Sequence, residues 1–172
     1  MDSRYRIRIA RRDELQALTE IERLAARRFE EYGLADLFSR IVTPPDILRE
    51  REQAGCVWAA ADGEDRPVGF VIATTIDGAA HIDELDVHTE HGRRGIGAAL
   101  VETVCDWARS TGFRAVTLST LRSIPWNAPF YAKLGFRVLE ENELTELLRE
   151  LLEYEASIGL PMDDRVLMRR EL

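Results

Sequence analysis

The chain has 172 residues, of which 45% are hydrophobic and 31% charged, and its 23 Lys and Arg against 31 Asp and Glu give a net charge of −8. This length and composition predict a single globular domain over residues 1–172 and exclude a disordered, collagen-like or disulfide-scaffold protein. The acidic balance argues against nucleic acid as the main partner, because phosphate binding requires a basic face.

Taken in chain order, the first third predicts one strand and three helical segments. Apolar residues alternate over residues 4–10, which indicates a strand. They then recur at helical spacing from residue 15 to 29, so we predict a helix that Asp13 caps and Gly33 ends. Two shorter helices follow over residues 34–42 and 46–54.

The apolar period then changes to that of strands. Three consecutive strands are predicted, and the Asp77-Gly78 pair between the second and third is typical of a tight hairpin. Further helices and strands alternate along the rest of the chain. The predicted strands are 56–61, 68–76, 79–88, 114–120, 136–139 and 165–169, and the predicted helices are 95–110, 127–134 and 143–157. This order predicts a mixed α/β domain built on one central sheet.

Residues 87–98 form a segment rich in glycine and arginine between the end of a strand and the start of a helix. Glycines let the backbone approach a ligand, and a helix N-terminus with Arg93 and Arg94 beside it favours an anion. The pattern predicts a cradle for a phosphate or pyrophosphate, with a solvated glycine turn as the alternative. Gly92, Gly95 and Gly97 match neither the dinucleotide-binding fingerprint nor a P-loop.

A second informative segment, residues 125–136, follows the next predicted strand. Together the two segments resemble the GNAT superfamily, the acyl-CoA-dependent N-acyltransferases, most strongly over residues 81–136. The first resembles the cofactor motif Arg/Gln-x-x-Gly-x-Gly/Ala, and the second, from Asn127 to Phe136, resembles the motif Asn-x-x-x-Tyr-x-x-x-Gly-Phe. Gly92 stands where the first motif usually has Arg or Gln, so we expect the adjacent Arg93 to serve instead.

The resemblance implies a fold and an acyl donor. The fold is a mixed α/β (α+β) domain with a single central, mostly antiparallel sheet flanked by helices, to which residues 140–172 add a C-terminal helix and strand. The donor is acetyl-CoA, whose pantetheine arm is expected to pair with the backbone of the strand before the cradle. The implied cofactor-binding residues are Leu85, Val87, Arg93, Arg94, Gly95, Ile96, Gly97, Ala98, Asn127 and Tyr131.

Acetyl transfer to an amine needs a base for the amine proton, an oxyanion donor and an acid for the leaving thiolate. The resemblance implies Tyr131 as the acid. The base is Asp83, Glu84 or a water that one of them activates, and strand alternation places these two on opposite faces unless a bulge shifts the phase. A strand N–H group near Leu85 or Asp86 is expected to stabilise the oxyanion.

We therefore predict an acetyl-CoA-dependent N-acetyltransferase that acts on a primary amine of a small molecule or peptide by direct attack on the thioester. Three carboxylates within residues 83–86 are costly to bury unpaired, so at least one is expected to face a wet cleft that accepts a cation. A non-catalytic acyl-CoA-binding module and a nucleotide-binding protein are the alternatives.

Several further expectations concern partners and location. The three histidines, within residues 81–91, match no known metal-site spacing, so no metal is expected. The absence of a signal core or a membrane-length apolar run predicts a cytoplasmic protein with no membrane partner. The helix over residues 143–157 is expected to cover the sheet, with a homodimer interface as the alternative.

Overall fold

The computed structural model describes residues 1–2 and 4–172, and its strands make one sheet flanked by helices. The strands are β1 (Arg6–Ile9), β2 (Val57–Ala61), β3 (Pro67–Ile76), β4 (Ala79–Val87), β5 (Ala115–Leu121), β6 (Arg137–Val138) and β7 (Arg165–Glu171). The helices are α1 (Leu15–Ala25), α2 (Ala35–Arg40), α3 (Pro45–Gln53), α4 (Ile96–Thr111), α5 (Ala128–Lys133) and α6 (Glu146–Ser157).

The sheet has seven strands in the order β1-β2-β3-β4-β5-β7-β6. Pairing is antiparallel for β1–β2, β2–β3, β5–β7 and β6–β7, and parallel for β4–β5. A parallel pair needs a crossover connection, and α4 supplies it. The predicted fold class, a mixed α/β domain with a single and mostly antiparallel central sheet, is confirmed.

The chain divides into two compact units. The N-terminal unit comprises Met1–Thr74 and Glu84–Val104, and the C-terminal unit comprises Thr75–Asp83 and Cys105–Leu172. Strands β3 and β4 and helix α4 each contribute residues to both units. The expectation of one domain over residues 1–172 stays a prediction.

The core of the N-terminal unit forms where α1 and α3 pack on strands β2 and β3. Residues of α1 three and four positions apart turn to the same side, so its apolar stripe is buried as the sequence period predicted. The core cluster consists of Ala10, Leu18, Ile21, Leu48, Val57, Ala59, Phe70 and Ile72, all less than 6% exposed.

The start of α1 differs from the prediction. A 3-10 turn over Arg12–Glu14 precedes the helix, and the Glu14 carboxylate accepts the backbone N–H of Arg11 at 2.9 Å. The same carboxylate pairs with Arg8 at 2.7 Å. The prediction that Asp13 caps this helix is therefore wrong, because Glu14 takes that role for the preceding turn. Gly33 ends the helical segment as predicted, in a left-handed conformation with φ of 69°.

In the C-terminal unit, α6 covers the strands with one leucine-rich face. Thr145 caps this helix by accepting the N–H of Leu148, so α6 begins at Glu146 and not at residue 143 as predicted. Leu147 and Tyr154 of the same helix remain exposed, and the homodimer alternative stays a prediction. The core cluster here is Leu139, Leu148 and Leu167, with Ile76, Leu144, Leu151 and Leu152 packed against it.

Gly69 of β3 lies in close contact with the backbone of β4. A side chain at this position should therefore lower the stability of the fold. A Cβ atom at position 69 would lie 2.9 Å from the backbone oxygen of Asp86 and 3.1 Å from Val87 Cγ2. We expect Gly69→Ala to lower the free energy of unfolding by about 2 kcal/mol, because backbone cannot move aside cheaply. Urea denaturation checks this, with Gly63→Ala as the control because no atom lies within 4 Å of that position. Equal stability of the two variants would contradict the prediction.

Candidate active site

The C-terminal half of β4 leaves the ladder that joins it to β5. The register with β5 runs from Ala80↔Val116 to Ile82↔Leu118, whereas β4 itself continues to Val87. Burial changes at the same point, since β4 is buried up to Ile82 and then half-buried or exposed. This stretch of β4 backbone has the properties expected of an edge to which an extended ligand adds as a strand.

The predicted anion cradle is a loop with two left-handed residues at the start of α4. Arg93 has a φ of 57° and Gly95 a φ of 77°. The first backbone hydrogen bond of the helix runs from the Ala99 N–H to the Gly95 carbonyl at 3.1 Å. The three preceding N–H groups, at positions 96–98, therefore have no carbonyl partner within the helix and carry the positive end of its dipole. Such a group of donors binds anions.

The two arginines of this loop have different surroundings. Arg94 is half-buried, and its guanidinium donates to the Tyr5 hydroxyl at 2.6 Å and to the Glu90 carbonyl at 3.1 Å. Arg93 is exposed. Arg94 thus helps to hold the loop, and Arg93 is the better placed of the two to meet a ligand phosphate from solvent.

The first residues of the chain also contact this loop. The Asp2 N–H donates to the Arg94 carbonyl at 3.2 Å. A Cβ atom at position 95 would lie 3.2 Å from the backbone of Met1. Glycine at this position therefore serves both the left-handed turn and the close approach of the N-terminal residues.

A buried carboxylate of α1 interacts electrostatically with the charged end of β4. Glu22 is only 6% exposed, and its Oε1 accepts the backbone N–H of Thr43 at 2.7 Å and the Thr43 hydroxyl at 3.2 Å. Its Oε2 is buried and has no hydrogen-bond partner among the residues that the structure describes. Burial, together with the charge of Glu84, raises the pKa of Glu22 to about 8.

Asp86 shares this environment. Burial and the charges of Glu84 and Glu22 raise its pKa well above the ordinary value, and Arg28 acts in the opposite direction. The side chain nevertheless keeps some solvent-accessible surface, because Asp86 is half-buried by area. A carboxyl group that is surrounded by protein and still reached by solvent is typical of a cleft wall, and strongly shifted acids gather at functional sites.

The two base candidates differ in environment. Asp83 is exposed and belongs to the C-terminal unit, whereas Glu84 is half-buried and belongs to the N-terminal unit. The Glu84 carboxylate accepts the N–H of Leu85 at 3.1 Å. Of the two N–H groups expected to stabilise an oxyanion, that of Leu85 is thus engaged, and Glu84 must release it before it can serve that purpose, whereas the Asp86 N–H stays the alternative.

The second motif builds a short, capped helix in the C-terminal unit. The Asn127 carbonyl accepts the first N–H groups of α5, while its side chain makes no cap. Gly135 ends the helix with a φ of 86°, and the Phe136 N–H donates to the Tyr131 carbonyl at 3.1 Å. The Phe136 ring packs edge-on against Tyr131 at 5.8 Å. Gly135 and Phe136 therefore position Tyr131, which is 9% exposed.

Two histidine environments complete this part of the chain. His81 is buried, and its Nδ1 lies 2.8 Å from the Thr117 hydroxyl; burial lowers its pKa to about 4, so the ring is neutral. The ligand atoms of His88, Glu90 and His91 lie within 4.8 Å of one another. This spacing is compatible with one shared ion, so the expectation of no metal stays a prediction.

Comparison with known proteins identifies the family. Residues 15–136, more than half of the chain, match the family model described as the acetyltransferase (GNAT) family. The chain belongs to the GNAT family. The cradle motif and the Asn127 motif predicted this family, and the prediction is confirmed.

Relatives and solved structures agree with this membership. Human N-acetyltransferase 8 is 36% identical over 93 residues, which are 50% of this chain and 40% of that protein, so the chain spans less than half of its length. N-acetylglutamate synthase from Neisseria gonorrhoeae, complexed with coenzyme A and N-acetyl-glutamate, has a TM-score of 0.73 at 20% identity, over 100% of this chain and 36% of that one. PaiA N-acetyltransferase from Thermoplasma acidophilum, in complex with coenzyme A, has a TM-score of 0.69 at 19% identity, over 98% and 99% of the two chains. At these identities the structures show a shared GNAT fold.

The predicted GNAT site residues fall into two groups. The cradle residues and Glu84 belong to the N-terminal unit, together with Leu85 and Val87, whereas Asp83, Asn127 and Tyr131 belong to the C-terminal unit. Their assigned roles stay predictions.

Glu22 is a site candidate that the sequence did not predict. Its signal was present, because a glutamate four positions after Leu18 falls within the apolar stripe of α1. A charged residue at a core position of a helix is rarely buried without a function or a partner.

One finding bears on the membrane. Within the described residues, the GNAT chain has no helix that combines the length and the apolar character needed to cross a bilayer.

Proposed function

We propose that the chain is an acetyl-CoA-dependent N-acetyltransferase that transfers an acetyl group to a primary amine by direct attack on the thioester. The observation that carries this proposal lies within the N-terminal unit. An anion cradle at the start of α4 follows directly in the chain on a strand end that bears a half-buried carboxylate pair, Glu84 and Asp86. One feature binds a pyrophosphate, and the other receives a cationic amine.

The cradle suits the pyrophosphate of acetyl-CoA. Helix-end N–H groups at 96–98, the left-handed Gly95 and the exposed Arg93 are donors and charges that phosphates require. We propose that the cradle residues Arg93, Arg94, Gly95, Ile96, Gly97 and Ala98 bind the pyrophosphate. The backbone of Leu85 and Val87 pairs with the pantetheine arm, and Asn127 and Tyr131 contact its far end. Bound acetyl-CoA supplies an activated acetyl group as a thioester.

Residues of the chain itself are proposed to accept and donate the protons of this reaction. Glu84 is proposed to accept a proton from the acceptor ammonium, with Asp83 or an intervening water as the alternative base. Tyr131 is proposed to hold a proton at its hydroxyl for the departing sulfur. The amine nitrogen forms a bond to the acetyl carbon while the carbon–sulfur bond breaks. The sulfur takes the proton of Tyr131, and of the two protons that leave the nitrogen one restores the Tyr131 hydroxyl and one reaches solvent.

Release of the free thiol of CoA in the presence of an amine panel tests this proposal. Turnover with at least one class of amine is expected. Binding of acetyl-CoA without turnover, and with no effect of Tyr131→Phe, would favour the non-catalytic acyl-CoA-binding module. If ATP or NAD competes better than CoA, the nucleotide-binding alternative replaces the proposal. A cytoplasmic location and the absence of nucleic acid partners stay predictions.

Arg93 gives a test of the cradle alone. We expect Arg93→Gln to raise the Kd for acetyl-CoA about fivefold at low salt and less at high salt, because a phosphate contact is screened by ions. Isothermal titration calorimetry at two ionic strengths measures this. Arg109→Gln is the control, because Arg109 lies in the last turn of the same helix and pairs with Asp106. An equal and small effect of both substitutions would remove Arg93 from the site.

A further inference from the structure

Three interacting carboxyl groups of the N-terminal unit are more than acetyl transfer requires. One base is enough for the proton of the attacking amine. Glu22, Glu84 and Asp86 nevertheless interact electrostatically, since the charge of Glu84 raises the pKa of both Glu22 and Asp86, and the charge of Glu22 raises that of Asp86. We call these three residues the acidic cluster. Arg28 and Arg23 are the cations that partly compensate it.

The buried end of the cluster lacks a partner. Glu22 Oε2 is inaccessible to solvent and accepts no hydrogen bond from the described residues, although Oε1 of the same carboxyl group has two donors from Thr43. The atom is unsatisfied whether the group is ionised or protonated. A buried polar atom without a partner costs about 1–3 kcal/mol, which a donor brought by a ligand would recover.

The outer end of the cluster is accessible. Glu84 and Asp86 occupy alternate positions of β4 and are half-buried, so a ligand from solvent can reach them. An ammonium group is a compact charge with three donors, and it can bond to more than one carboxylate at once. The cluster thus combines two carboxylates that solvent reaches with a buried acceptor that the described residues leave unsatisfied.

We propose that the acidic cluster is a receptor for a second ammonium group of the acceptor, and hence that the preferred acceptors are aliphatic diamines or polyamines without a carboxylate. This inference rests on the proposed function. Glu84 serves the reacting nitrogen, while Glu22 and Asp86 hold the distal ammonium, which keeps its protons throughout. An acceptor with a carboxylate at that end brings no hydrogen-bond donor for these carboxyl oxygens and is therefore disfavoured.

Three acceptors with four-carbon chains test this receptor: 1,4-diaminobutane, butylamine and 4-aminobutanoate. The kcat/KM for the diamine is expected to exceed that for butylamine by about tenfold or more, since only the diamine adds a charge-assisted contact, and 4-aminobutanoate should be the poorest. Equal kcat/KM values for the diamine and butylamine would overturn the receptor and leave the acetyltransferase proposal intact.

Variants show whether the cluster is responsible. Glu22→Gln keeps the shape of the side chain and an oxygen for Thr43, and it is expected to reduce the diamine-to-butylamine ratio by about tenfold. Asp86→Asn is a second variant with the same expectation. Glu20→Gln is the control, because Glu20 is an exposed neighbour on the same helix and should leave the ratio unchanged. An unchanged ratio in both cluster variants would contradict the inference.

Calorimetry separates failure of the receptor from failure of the proposed function. Acetyl-CoA and 1,4-diaminobutane are each titrated into the full chain, and the diamine is titrated again in the presence of CoA. If acetyl-CoA fails to bind, the proposed function is overturned, and diamine binding to the ligand-free chain still decides the receptor. Diamine binding that Glu22→Gln weakens supports it, and the absence of diamine binding in both titrations overturns it.

Discussion

Replacing Tyr131 by phenylalanine is expected to lower kcat for acetyl transfer by about 100-fold, because the change removes the hydroxyl proposed to protonate the leaving sulfur. The ring itself should stay in place, since it packs edge-on against both Phe130 and Phe136. We therefore expect the melting temperature to change little. Steady-state release of CoA and a thermal unfolding curve of the same sample measure the two effects separately.

Tyr154→Phe is the matched control for this experiment. Tyr154 lies on α6 and is 59% exposed, so loss of its hydroxyl should affect neither kcat nor stability. If Tyr131→Phe retained full kcat, the proposed acid would be wrong, and a water or another residue would have to protonate the sulfur.

The second large effect concerns the pH dependence of stability. In the folded chain, burial raises the pKa of Glu22 to about 8, whereas an unfolded glutamate has its ordinary value near 4.5. Between these values the folded state binds more protons than the unfolded state, so the contribution of Glu22 to stability falls as the pH rises from about 4.5 to about 8. Glu22→Gln removes this titration. At pH 9 the variant should be more stable than the original chain by about 4 kcal/mol, and at pH 5 the two should nearly coincide.

Urea denaturation at pH 5 and pH 9 measures this difference. Glu20→Gln again provides the comparison, because an exposed glutamate on the same helix should show no such dependence. A constant difference between Glu22→Gln and the original chain at both pH values would mean that Glu22 is not a strained acid in the folded state.

Local signals predicted most of the fold. The hairpin at Asp77-Gly78 has φ values of 50° and 70°, the left-handed pair that this dipeptide favours. Gly33 and Gly135 end their helical segments for the same conformational reason. The cap of the first helix was predicted wrongly because Asp13 and Glu14 can both accept a backbone N–H there. Sequence spacing does not say which of the two carboxylates makes the hydrogen bond.

The sequence predicted only the part of the candidate site that the backbone itself forms. The cradle depends on glycines and a helix start, which are local features, and both lie where the motif placed them. The acidic cluster depends on an electrostatic interaction between α1 and β4, about 60 positions later in the chain, and no local pattern encodes it. Glu22 therefore became visible only once the fold was known.

The position of β7 in the sheet has a consequence for synthesis of the chain. β5 pairs with β7 along its whole length, and Leu118 meets Met168 fifty residues later. A ribosome adds roughly 5–20 residues per second, so β5 is made roughly 3–10 s before its partner. During that interval one edge of a central, apolar strand is open to pairing with other chains. Slow translation or a stalled ribosome between β5 and β7 should therefore favour aggregation of the nascent protein, and chaperones that shield strand edges should improve its yield.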